Sequence, residues 1–221
     1  MTIASVRNIF PKATALTVDE QARQESLAVA EGLKRRRAGL LDELIVRYQH
    51  RLLRYLLFLT GNRETAEDLF QEVWMRVLVR GDQFNGRARF ETWLFTIARN
   101  LVIDHRRKRT MNSLDELIDG SSDDDRPMAV EVVSDDPTPF DRVSNLEDRE
   151  KIAAALLELD TLHREVLVLR FHEELSLEEI AKVTRAPLST VKSRLYRGLA
   201  MIKPRLEYAA ARFDTRIQEA V

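Results

Sequence analysis

The side chains best suited to chemistry fall into two clusters. In the first, FETWLFTIARNLVIDHRRKR at 90–109 runs from aromatic and aliphatic residues into Arg106, Arg107, Lys108 and Arg109. Such cations neutralise phosphate, and the Asn100 amide in the same run can both donate to and accept from a base edge. The same cations would also suit an ordinary helix C-terminus, whose dipole attracts positive charge. Just upstream, GDQFNGRAR at 81–89 holds Phe84 with no apolar neighbour in the loop. A ring so placed either tucks onto the core or stacks on a nucleobase, a contact worth about 1–3 kcal/mol. The second cluster is Ser189, Thr190, Lys192, Ser193, Arg194 and Arg197. Hydroxyls bond phosphates or bases, lysine neutralises phosphate and arginine grips guanine with two hydrogen bonds. All of this is binding chemistry. No glycine-rich phosphate loop or nucleophile–base spacing accompanies it, so no enzyme is expected. The absence of cysteine excludes disulfides and thiolate chemistry, and the four histidines lack metal-ligand spacing, so neither metal nor cofactor is expected.

These residues need helices to position them. Leu41, Leu44, Ile45, Tyr48, Leu52, Tyr55, Leu56 and Leu59 recur at the three-and-four spacing of one buried helix face, which Gly61 ends. Asn62 is a suitable N-cap for a second helix with Ala66, Leu69, Phe70, Val73, Trp74, Val77 and Leu78 inward and Asp68, Gln71, Glu72 and Arg76 outward. In the next helix Phe90, Leu94, Ile97, Ala98 and Leu101 form the core stripe, leaving Trp93, Thr96, Asn100, Asp104 and Arg107 on other faces. Farther on, Ile152, Leu156 and Leu159 mark another helix, and Asp160 caps one carrying Leu162, Val166, Leu167 and Leu169. LSLEEIAKVTRAPLSTVKSRLYRGL then reads as helix-turn-helix. Ser176 and Glu179 have capping-box spacing, Thr184 to Ala186 make the turn, and Pro187 suits the first position of the second helix. There Leu188, Val191, Leu195 and Leu199 pack inward, so the hydroxyl and basic cluster can reach a major groove.

The chain has 221 residues and a net charge of −1, but the charge is unevenly placed. Residues 111–141 hold ten carboxylates and one arginine, a net −9 that leaves +8 elsewhere. With Gly120, Ser121, Ser122 and three prolines and no apolar period, this stretch reads as a flexible acidic linker. Two readings of its charge are open: a solvated connector, or an active role for the charge. The expected organisation is an N-terminal extension at 1–35, partly helical or disordered, a helical bundle at 36–110, the linker at 111–142, a helix-turn-helix domain at 143–210 and a tail at 211–221. No run is apolar and long enough for a membrane span, and no secretory leader pattern opens the chain, so a cytoplasmic protein is expected.

Three motifs in this order carry a family resemblance. DLFQEVWMRV at 68–77 resembles region 2.2 of the extracytoplasmic function (ECF) sigma factors of the sigma-70 family. FNGRARFETWLFTIARNLVIDHRRKR at 84–109 resembles regions 2.3 and 2.4, and the helix-turn-helix resembles region 4.2. The resemblance implies an all-α fold of two small domains, sigma-2-like and sigma-4-like, joined by the linker, with no room for a sigma-3 domain. It implies a subunit that directs core RNA polymerase to promoter DNA, with an anti-sigma factor as a further partner. Carried over by position, Asp68, Gln71 and Glu72 would dock on the polymerase clamp helices. Phe84 with its loop, Trp93 and Asn100 would hold melted minus-ten bases, and Arg106, Arg107 and Lys108 would hold nearby phosphate. Ser189, Thr190, Lys192, Ser193, Arg194 and Arg197 would read the minus-thirty-five element. Ser189 stands where the family often has glycine, which bears on a phosphate contact.

Overall fold

A computed structural model describes the backbone of residues 18–116 and 146–219 and the side chains of 20–109 and 152–204. Among the described residues the structure is helical, without strands. The elements are α1 (Val18–Lys34), α2 (Leu40–Thr60), α3 (Arg63–Arg80), a 3₁₀ turn (Gly81–Gln83), α4 (Phe90–Glu116), α5 (Leu146–Leu157), α6 (Thr161–Leu167) continuing into a π turn (Val168–His172), α7 (Leu177–Thr184) and α8 (Leu188–Glu219). Helix α4 runs past the boundary expected at 110, and α8 runs into the tail expected at 211–221. Residues 117–145, most of the acidic stretch, lie outside the described residues, and the expectations about the linker with them.

Local chemistry explains the helix ends. Gly61 closes α2 in the left-handed conformation that glycine adopts without penalty, and its N–H donates to the Leu57 carbonyl. One residue later the Asn62 side chain accepts from the Thr65 N–H and opens α3. Asp160 accepts from Leu162 and His163 N–H at the start of α6. Ser176 and Glu179 form the reciprocal capping box of α7. The turn after α7 places Arg185 at φ 51, and Pro187 precedes α8 rather than occupying its first position, its carbonyl accepting from Val191.

Helices α2, α3 and α4 pack around Leu52, Tyr55, Leu56, Ala66, Val73, Val77, Leu94 and Ala98. A second core gathers Leu159, Val166, Val168, Leu169, Leu175, Ile180, Val183 and Val191 from α5 to α8. Three expected core residues are exposed instead: Leu78, Leu162 and, a turn beyond buried Leu195 on α8, Leu199. Leu78 sits roughly 120° around α3 from the stripe through Leu69, Val73 and Val77, because a period of 3.6 carries it off the inward face.

The two units pack on one another: α6 and its π turn lie against α2, and α7 lies against α4. The join is polar and buried. Arg51 donates through Nε to Glu173 at 2.8 Å and through a second nitrogen to the Glu173 carbonyl at 3.0 Å. Tyr55 donates to Glu165 at 3.0 Å, and Arg99 donates to the same carboxylate at 2.8 Å. Arg164 donates to the carbonyls of Phe58, Leu156, Leu157 and Leu159, tying the end of α2 to the α5–α6 corner.

Candidate nucleic-acid interface

Helix α4 carries three faces. Successive residues advance by 100°, so Phe90, Leu94, Ile97, Ala98 and Leu101 share one side, and all but half-buried Ile97 are fully buried. Roughly 120° away lie Thr92, Phe95, Arg99, Val102 and Arg106. On that side Thr92 donates to Glu179 of α7, Phe95 packs edge-on against Tyr55, and Arg99 pairs with Glu165. The third side carries Trp93, Asn100 and Arg107, which recur every seven residues and so line a stripe roughly 20 Å long. Trp93 and Asn100 are half-buried and Arg107 is exposed. Asn100 makes no hydrogen bond among the described residues, whereas Arg107 pairs with Asp104 at 3.5 Å.

Phe84 is only 4% exposed. Its ring meets Phe90 edge-on at 5.5 Å and Trp93 at 5.2 Å, so of the two sequence readings the structure has the one in which it tucks onto the core. An openly stacking Phe84 is therefore corrected in this arrangement: the ring anchors the loop, and Asp82, Gln83, Asn85 and Arg87 are what the loop exposes. The loop ends beside a charged corner. Arg89 pairs with Glu91 at 3.0 Å and lies 3.8 Å from Glu179 of α7. Burial pushes the Glu91 carboxyl up, but its own backbone N–H, Arg89 and Arg51 outweigh that and hold it below the usual range.

The cations at 106–108 divide. Arg106 donates to the Leu59 carbonyl at the C-terminal end of α2, and partial burial there lowers its pKa. Its guanidinium thus serves a helix end as the dipole argument anticipates, but the end of α2, not of its own helix. Lys108 is exposed.

On α8, Ser189, Lys192, Ser193 and Arg197 are exposed and Thr190 and Arg194 half-exposed, over a base of buried Val191 and Leu195. Among the described residues none of these six side chains is engaged in a hydrogen bond or ion pair. They are held out by packing beneath them, which leaves donors and charge available to a ligand.

On α3 the exposed residues Asp68, Gln71 and Glu72 form a row with Met75 and Val79, since positions three, four, seven and eleven apart share a helix face. Glu72 is partly occupied by Arg76 at 3.0 Å. Met75 and Val79 were absent from the sequence reading. The signal was present in their spacing from Asp68, but an apolar residue near a core stripe is ordinarily read as core.

Glu165, Glu173 and Arg51 were also missed, and Tyr55, correctly read as core, was not seen to bond across the join. Glu173 is completely buried, and burial raises its pKa despite Arg51 and Arg54 beside it. Burial and the Glu165 charge raise the Tyr55 phenol as well.

Residues 44–111 match the family model described as Sigma-70 region 2, and residues 149–202 match that of Sigma-70, region 4. The ECF RNA polymerase sigma factor SigW of Bacillus subtilis (strain 168) is 35% identical over 160 residues, covering 72% of this chain and 84% of SigW. SigL of Mycobacterium tuberculosis (strain ATCC 25618 / H37Rv), another ECF RNA polymerase sigma factor, is 33% identical over 187 residues, 84% of this chain and 96% of SigL. Among solved structures, the sigma factor RpoE in complex with the anti-sigma factor NepR from Bartonella quintana matches with a TM-score of 0.61 at 25% identity, over 77% of this chain and 98% of that one. CnrH in complex with the cytosolic domain of CnrY shares the fold, with a TM-score of 0.57 at 21% identity over 83% and 97% of the two chains. With both regions matched in chain order and relatives at this identity over 84% and 96% of their own length, the chain belongs to the ECF sigma factors of the sigma-70 family.

Proposed function

We propose that the protein binds core RNA polymerase through the exposed face of α3, reads duplex minus-thirty-five DNA with α8 and holds unpaired minus-ten bases along the third face of α4. The observation that carries this reading is the stripe of Trp93, Asn100 and Arg107, in which half-buried Trp93 rests on Phe84 and Phe90 at the core's edge and the Asn100 amide makes no hydrogen bond among the described residues. Beside it stand a pinned loop with polar residues outward and a basic end at Arg107 and Lys108.

The work is binding, not bond-making. An unpaired base gains contacts at Trp93, Asn100 and the 82–87 loop that a paired base cannot reach, which shifts the duplex toward melting. Arg107 and Lys108 hold the backbone beside the opening, while Arg106 keeps α2 and α4 in register. On α8, Lys192 and Arg197 fix the helix on phosphate, and Ser189, Thr190, Ser193 and Arg194 lie toward base edges. Catalysis of RNA synthesis belongs to the polymerase.

An anti-sigma factor is the partner that would compete for these surfaces, as the sigma factor RpoE was captured with the anti-sigma factor NepR from Bartonella quintana. Among the described residues no helix is long and apolar enough to cross a membrane. The test is transcription from the promoter upstream of the protein's own gene, with purified full-length protein added to core polymerase. Specific initiation above core alone is expected; folded protein that gives none sinks the reading.

A further inference from the structure

The loop at 81–86 is held from two sides, and one of them lies outside the matched sigma region. Within the loop two hydrogen bonds hold the described residues: Phe84 N–H donates to the Gly81 carbonyl, and Arg87 N–H to the Asn85 side chain. On the inner side Phe84 is locked among Phe90 and Trp93. On the outer side runs α1, whose residues precede the region 2 match at 44–111.

Two glycines record how closely α1 approaches. Gly86 has φ +69, and a Cβ there would stand 3.0 Å from the Leu27 Cα, the Leu27 Cδ2 and the Ser26 carbonyl oxygen. A Cβ on Gly81 would stand 3.2 Å from the Leu33 Cδ2. Positions 26 and 33 are two turns apart, about 10 Å along α1, so one ridge of the helix grips both ends of the loop. At its far end Gly32 packs on Leu40 of α2, where a Cβ would lie 2.6 Å from Leu40 Cδ2, and this fixes α1 to the bundle. Helix α1 adds little to the common core, with Ala30 its one fully buried hydrophobic side chain among the described residues, while Leu27 remains 48% exposed. Two of these three close approaches, those at Gly81 and Gly86, are to the loop.

The geometry points to α1 as a positioning brace: through Leu27 and Leu33 it sets where Gln83 and Asn85 stand relative to Trp93 and Asn100, and so sets base preference at the captured position. This rests on the minus-ten reading above. Recognition of a base tolerates errors of only about 0.5 Å in the groups around it, and a loop with few internal bonds keeps that tolerance only if both ends are held.

The test uses full-length protein bound to core polymerase and short single-stranded oligonucleotides carrying dA, dC, dG or dT at each minus-ten position in turn. Leu27→Ala and Leu33→Ala are expected to lower discrimination between the best and worst base by about tenfold, with core affinity and duplex minus-thirty-five affinity unchanged. Gly81 has an ordinary helical backbone, φ −60, so in Gly81→Ala only Leu33 stands in the way. That variant should also lose discrimination, and adding Leu33→Ala should restore part of it, which a loss of general stability would not do. Unchanged discrimination in Leu27→Ala and Leu33→Ala overturns the brace, as does a parallel fall in core, duplex and single-strand affinity. A wild-type holoenzyme that binds all bases alike would instead overturn the minus-ten reading itself.

Discussion

Arg99 and Glu165 meet at 2.8 Å with side chains only 14% and 4% exposed, and they join the two sigma units through a contact between helices far apart in sequence. Glu165 also accepts from Tyr55, so one carboxylate is satisfied by two donors from the first unit. A buried carboxylate stripped of its cation is strongly unfavourable, costing about 3–5 kcal/mol when one partner of such a pair is removed. Arg99→Ala is therefore expected to separate the two units. The measurement is resonance energy transfer between dyes on exposed sites of α3 and α8. Tyr55→Phe removes one neutral donor and should shift the distance distribution less. Equal distributions in wild type and Arg99→Ala would remove this ion pair from what holds the units together.

A pH prediction follows from Glu173. Burial raises its pKa in the folded protein above the ordinary 4.5, and Oε1 has no hydrogen-bond partner among the described residues. A carboxyl raised on folding contributes stability that is complete below its unfolded pKa and is lost as pH rises through its folded pKa. Glu91 has the opposite sign: its pKa is lowered, so its contribution is present above the unfolded value and lost as pH falls through the folded one. The two can be told apart by difference. Relative to wild type, Glu173→Gln should gain stability progressively as pH rises above about 4.5, measured by urea unfolding across a pH series. A constant difference at every pH would contradict the raised pKa.

Much of this fold was legible because caps and periods are local. Asn62, Asp160 and the Ser176–Glu179 box start helices where the sequence placed them, and Gly61 ends one. What was not legible depends on which helix lies opposite. Phe95 and Arg99 sit outside the α4 core stripe and gave no reason to be covered until the second unit packed on α2 and α4, with Glu165 of α6 reaching Arg99. Arg106 could be read as capping its own helix or holding phosphate; that it bonds Leu59 of α2 is a tertiary fact. Glu173 looked like one surface acid among many, since nothing in HEEL distinguishes the buried carboxylate from exposed Glu174. On α8 the helical period put Ser189, Lys192, Ser193 and Arg197 outward as the structure has them, with Thr190 and Arg194 half-exposed, but it also put Leu199 inward, where the structure has it exposed.

The exposed apolar residues of α3 give a test of the polymerase surface. Val79 is 69% exposed and Met75 is in the same row as Asp68 and Glu72. Exposed side chains change stability by within about 0.5 kcal/mol when substituted, whereas an apolar contact at the centre of an interface often costs more than 1 kcal/mol when lost. Val79→Asp and Met75→Asp should thus weaken core polymerase binding by about tenfold or more with thermal midpoints near wild type. Core affinity that stays unchanged would confine the docking surface to the polar positions.

The final prediction separates phosphate contacts from base contacts. Lys192 on α8 is exposed with no partner among the described residues, and one phosphate contact contributes about one unit to the slope of log affinity against log salt. Lys192→Ala should lower that slope on duplex minus-thirty-five DNA by about one and weaken all sequences alike. If Arg194 reads a base edge, as proposed, Arg194→Ala should cost about 1–3 kcal/mol on the preferred site and less on others. Asn100→Ala should leave both duplex measurements untouched and weaken single-stranded minus-ten binding, because Asn100 lies on α4 in the other unit. Titrations of the three variants on duplex and single-stranded probes over a salt series read all of these effects. A Lys192→Ala variant that keeps the wild-type slope would remove Lys192 from the phosphate contacts, and an Asn100→Ala variant with full single-strand affinity would detach the third face of α4 from base capture.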